Sequence, residues 1–111
     1  MKKYEMGSTM QSLRHRRRYE IKAMIWLHDG PAGWHFVTLP QNEAREIRAH
    51  TAGLATRWGS IRVVATIGDV RWQTSLFPDR KRKSYLLPLK RAVLKAEGIK
   101  AGDRIMLTLD V

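Results

Sequence analysis

Phe36-Val37-Thr38-Leu39-Pro40 and Ser84-Tyr85-Leu86-Leu87-Pro88 end on the same Leu-Pro pair, and each is followed four residues on by an alanine, Ala44 and Ala92. A second pair of strings follows the same order: Arg62-Val63-Val64-Ala65-Thr66-Ile67 and Arg104-Ile105-Met106-Leu107-Thr108-Leu109. Aligned this way, Thr38 corresponds to Leu86 and Thr66 to Thr108. Both halves then share one grammar: strand, loop, strand, Leu-Pro, helix, glycine, strand. The loop before the last strand is longer in the first copy. A repeat this short cannot cover its own apolar face, so two copies should pack on each other. The expected fold is mainly β: a small closed or nearly closed barrel of about six strands and two short helices, with an internal pseudo-two-fold repeat. Closure removes exposed strand edges.

Working outward, period-two alternation marks the strands. Tyr19, Ile21, Ala23, Ile25 and Leu27 share one face; Glu20, Lys22, Met24, Trp26 and His28 share the other. Asp29-Gly30-Pro31-Ala32-Gly33 is a turn by composition, and Trp34 to Leu39 is the returning strand. Pro40 to Ala49 is expected as a helix with proline at its start. Ser60 to Ile67 and Val70 to Phe77 flank Gly68-Asp69, a two-residue hairpin signal of type II′. In the second hairpin strand Trp72, Thr74 and Leu76 face one way. Ser84 to Leu87 is short. A second helix is expected from Pro88, with Leu89, Ala92, Val93 and Ala96 as its apolar stripe and Gly98 as its C-cap. Arg104 to Val111 closes the chain.

A chain of 111 residues is one domain and excludes a large enzyme with separate cofactor and substrate domains. Lys plus Arg number 21 against 10 Asp plus Glu, a net charge of +11, and apolar residues make up 43%, enough for a core. With no cysteine, disulfide scaffolds and thiolate metal sites are excluded. No apolar run approaches a membrane span, and the start has no apolar h-region of a secretory signal, so a cytoplasmic protein with no membrane partner is expected. Residues 1–18 hold six of the cations and one of the acids. They are read as a basic, mobile arm. Residues 19–111 are read as a single barrel with halves of about 19–67 and 70–111.

No catalytic signature is present, so the expectation is a protein that is not an enzyme. His15, His28, His35 and His50 show no metal-ligand spacing, although a turn brings His28, Asp29 and His35 toward each other. No metal and no cofactor is expected. Phosphate contact needs clustered cations. The candidates are Arg14, Arg16, Arg17 and Arg18 in the arm, Arg80, Lys81, Arg82 and Lys83 in a hairpin loop, and Lys90 and Arg91 on the second helix. Among Trp26, Trp34, Trp58 and Trp72, Trp58 is the expected exposed ring for a base to stack on, while Trp34 and Trp72 are expected in the core. The leading function is binding of DNA or RNA, DNA above all, through phosphate contacts with weak sequence preference. The alternative is a small-molecule or peptide site at a barrel mouth around Arg71, Trp72 and Ser75, the basic charge then being incidental. A barrel closed within one chain is compatible with a monomer.

Four runs, in this order, resemble a known family: Trp34 to Pro40, Ile67 to Pro78, Tyr85 to Lys90, and Ala96 to Asp103. They are similar to the bacterial domain-of-unknown-function family numbered nineteen hundred and five, met beside or fused to YdeI/OmpD-associated proteins. The resemblance covers Tyr19 to Val111. It implies a small β-barrel and no established activity. Leu94 departs from it, standing where the family's second helix usually has an arginine. Leu87-Pro88, Gly98-Ile99 and Gly102-Asp103-Arg104-Ile105 are more distantly similar to the AbrB-type swapped-hairpin DNA-binding domains, in which two chains build one barrel. A fused pseudodimer of that kind would match the repeat.

Overall fold

Strand β1 (Arg18–Leu27) buries Tyr19, Ile21, Ala23 and Ile25 and turns Glu20, Lys22 and Met24 outward, because successive strand side chains point to opposite faces. The computed structural model describes residues 17–53 and 58–111. After β1 come β2 (His35–Thr38), α1 (Gln41–His50), β3 (Ile61–Ile67), β4 (Val70–Asp79), β5 (Ser84–Leu89), α2 (Arg91–Glu97) and β6 (Arg104–Asp110). The strands pair antiparallel in the closed order β1-β2-β5-β4-β3-β6. The expected six-stranded barrel with two helices is the observed one.

The repeat reappears as register. Thr38 lies directly opposite Leu86 across β2 and β5, and Thr66 directly opposite Thr108 across β3 and β6. These are the two pairs that the sequence repeat makes equivalent to each other. An antiparallel pair of equivalent residues lies on the axis that exchanges them. A pseudo-two-fold axis therefore passes through both seams, on opposite walls of the barrel. Exchanging β1 with β4, β2 with β5 and β3 with β6 leaves the cyclic order unchanged.

The interior is filled by side chains. Ile21, Ile25, Val37, Leu76, Leu87, Leu107 and Leu109 are all buried in one cluster. Because β2 and β5 run antiparallel, the chain leaves them at opposite ends of the barrel. The helices that follow cover those ends, α1 burying Ala44 and Ile47 and α2 burying Val93. At the β3–β4 turn Gly68 has φ 56°, as the first central residue of a type II′ turn requires. Gly98 ends α2 in the left-handed conformation, with Ile99 N–H donating to the Leu94 carbonyl at 3.0 Å and Gly98 N–H to Lys95 at 3.3 Å, a Schellman closure. No helix among the described residues is long and apolar enough to cross a membrane.

Three local expectations are corrected. Pro88 does not start α2; it lies in β5 opposite Phe36. β5 parts from β4 after Leu86, so no β4 partner lies beside Pro88 to be deprived of a ladder hydrogen bond. The helix begins at Arg91 and buries Val93 with Leu94 half-buried, leaving Ala92 and Ala96 exposed. Trp34 does not enter the core. It points outward at 57% exposed, on the face opposite Val37. The expected arm also ends earlier: Arg17 exchanges two backbone hydrogen bonds with Val111, and Arg18 opens β1.

The two tryptophans give a direct check. Trp72 packs on the core, so Trp72→Ala should cost about 3–5 kcal/mol. Trp34→Ala should cost about 1 kcal/mol or less, because it loses only surface stacking. Urea midpoints of the two variants measure both.

Candidate functional site

The hairpin between β4 and β5 carries Arg80-Lys81-Arg82-Lys83, closed by the pair Asp79 and Ser84. Its shape comes from Asp79. One carboxylate oxygen accepts the Arg82 backbone N–H at 3.3 Å, and the other accepts the Arg82 guanidinium at 2.6 Å. Lys83 N–H donates to the Arg80 carbonyl at 3.3 Å. Lys83 itself has φ 53°, the one positive value outside glycine among the described residues. Gln41 at the start of α1 donates to the Arg82 carbonyl at 3.0 Å, and buried Ser84 donates its hydroxyl to the Leu39 carbonyl at 2.6 Å. Four cations are thus held exposed on a turn tied to β2 and α1. The side-chain hydrogen bond from Arg82 holds the Asp79 carboxyl below the usual carboxylate range.

The turn separates two concavities. One, of about 570 Å³, is lined by Arg48, Arg80 and Lys83 around Tyr85 and Pro78. Arg48 lies over the Tyr85 ring, 5.8 Å from its centroid. The other, of about 750 Å³, is lined by Trp26, His28, Phe36 and Leu86 with Arg80 and Arg82. Arg80 lines both. Arg82 sits 5.4 Å over Trp26, whose indole N–H is fixed by the Thr38 hydroxyl at 3.0 Å. Phe36 lies 5.3 Å from Trp26, and Trp34 stacks on Phe36 at 6.1 Å and 25°. His28 meets Phe36 edge-on.

The remaining predicted residues distribute as follows. Lys90 and Arg91 are exposed and line a recess of about 240 Å³ beside Trp34 and His35. They join the aromatic row at the end opposite Arg80 to Lys83, with a backbone separation of about 20 Å along β5. Trp58 is exposed, as expected, at 80%. Arg14 and Arg16 lie outside the described residues. Arg17 and Arg18 stand apart from the turn: Arg18 is about 26 Å along β1 from Trp26 and is bidentate on Asp110, at 2.9 and 3.3 Å. Arg71, Trp72 and Ser75 do not meet at one surface. Arg71 projects outward, 3.6 Å from Asp110, whereas Trp72 packs on the core from the other face of β4. His35 Nδ1 lies 2.9 Å from the Gly33 carbonyl, and no group of three or more His, Asp or Glu among the described residues is placed to hold a metal.

Sequence reasoning missed Arg48, Tyr85 and Phe36. The first two meet only because α1 packs beside β5. A signal for Phe36 existed: Trp34 and Phe36 alternate with buried Val37, as Met24 and Trp26 alternate with Ile25.

A family model described as a domain of unknown function, DUF1905, matches residues 22–109. The chain belongs to DUF1905. The DUF1905 match runs from β1 to β6 and includes the basic turn, both helices and the outer aromatic row. No curated protein matches the chain.

Two outcomes follow for this DUF1905 turn. A carboxyl lowered by folding stabilises the fold above its unfolded pKa of about 3.9, and that contribution is lost as pH falls through the folded value. The Arg82 amide resonance should therefore titrate below about pH 4, and Asp79→Asn should abolish that titration. Lys83→Gly should leave the melting temperature unchanged or raise stability by up to about 1 kcal/mol, because it relieves a left-handed lysine. The same variant should bind polyanions more weakly, measured by heparin elution.

Proposed function

We propose that this domain is a binding module for nucleic acid, DNA above all, that contacts phosphates with weak sequence preference and carries out no catalysis. The observation that carries this reading is the placement of Arg80 at the junction of both concavities, with Arg48 and Lys83 on one side and Arg82 over Trp26 on the other. Lys90 and Arg91 extend the positive charge to the far end of the same face. Clustered cations on a shaped surface are what phosphate contact demands. The barrel closes within one chain, so a monomer suffices, and the net charge of +11 favours association with polyanions. The ligand-mouth alternative has weaker support, because the helices cover the barrel ends and Arg71 and Trp72 occupy opposite faces.

The test is binding to a DNA duplex and to a single strand across a salt series, for the full chain and for a variant with alanine at Arg80, Lys81, Arg82 and Lys83. Log affinity should fall linearly with log salt, at roughly −0.9 per phosphate contact. Arg82 is already paired with Asp79, so the variant should flatten the slope by roughly 3 rather than 4 contacts' worth. An unchanged slope sinks the assignment to this turn, and no binding of either duplex or single strand near physiological salt sinks the function.

A further inference from the structure

Phosphate contact alone leaves the outer aromatic row without a role. Trp34, Phe36, Trp26 and His28 form one contacting group on the outside of the barrel, where Trp34 is 57% exposed. They are not core residues, and a soluble surface rarely keeps such a patch without use. The row is built rather than incidental. Thr38 anchors the Trp26 indole, and Phe36 is wedged between Trp26 and Trp34. Its two ends carry positive charge, with Arg80 and Arg82 at one and Lys90 and Arg91 at the other.

From this we infer that the row is a stacking platform for unpaired bases, so that the occupant of this face is single-stranded DNA rather than duplex. The inference rests on the nucleic-acid reading above and deepens it. In a duplex the base faces are stacked on each other and only edges and phosphates are offered. An unpaired strand offers both groups that this face is built to meet: flat rings for the exposed Trp34, and phosphates for the cations at either end. Stacking on aromatics flanked by basic residues is the general physical route to sequence-tolerant single-strand binding. The backbones that carry the two cation groups stand about 20 Å apart along β5, with Arg82 reaching back over Trp26, so one strand crossing the row reaches both. Trp34 is the ring best placed to take a base, because Arg82 already covers Trp26.

Fluorescence anisotropy with a labelled oligothymidylate and with a duplex of equal length tests this on the full chain. The single strand should bind more tightly than the duplex at equal salt. Trp34→Ala should weaken the single strand roughly tenfold, with little change for duplex and no change in salt slope. Trp34→Phe, which keeps a ring, should restore most of the loss. Since Trp34 is outside the core, circular dichroism should show both variants folded. Tighter duplex binding, or single-strand binding indifferent to Trp34→Ala, overturns the stacking platform while leaving phosphate binding intact. No binding to either oligonucleotide overturns both readings.

Discussion

The pairing of β2 with β5 joins the two halves of the chain, and the outer face is built on it. Val37 and Leu87 meet on the inside of that seam, while Phe36 and Pro88 meet on the outside. The Ser84 hydroxyl donates to the Leu39 carbonyl across it, and the Leu39 N–H donates to Tyr85. These contacts set where α1 starts and where the basic turn stands, so Gln41 reaches Arg82 and Arg48 reaches Tyr85. A one-residue slip would turn Val37 out and Phe36 in, and would exchange core for surface along the strand. Because the apolar core penalises that slip, the aromatic row is held outward by the burial of its neighbours.

Charge is used in two ways. Among the described residues Arg18 and Arg71 pair with Asp110, Arg82 with Asp79, and Lys100 with Asp103. Surface pairs of this kind contribute little stability, typically 0–1 kcal/mol each. Their effect is geometric. Asp110 ties the end of β6 to β1 and to β4, while Asp79 bends the basic turn and holds Arg82 over Trp26. A surplus of like charge repels itself, and the net charge of +11 is such a surplus. Lys83 in the left-handed region adds a local strain at the same turn, a feature that recurs where geometry serves binding.

How much of this was legible in the sequence depends on whether the cause was local. Alternation and the repeat were enough for six strands, two helices and a closed barrel, because burial of one face per strand is a local pattern that any closed sheet must satisfy. Gly68 and Gly98 were legible for the same reason, since the turn and the helix cap each demand a backbone that glycine adopts without cost. The correspondence of Thr38 with Leu86 and of Thr66 with Thr108 already contained the barrel's pseudo-two-fold, although the register made it visible. The basic turn was also legible as a charge run.

The outer surface was not. Trp34 reads as core by its size, yet its place on the pleat puts it opposite Val37, and only strand pairing decides which face is inside. Pro88 reads as a helix start by its chemistry, and its tolerance in β5 depends on where β4 stops. Arg71, Trp72 and Ser75 are close in sequence but are separated by the alternation of β4. Arg48 is distant in sequence from Arg80 and Lys83 and is brought beside them by the contact of α1 with β5. The sequence by itself determined the elements and the closed barrel, because those follow from periodicity and turn chemistry. Only the tertiary structure decided which rings and cations share a surface, because that depends on long-range pairings that no local pattern encodes.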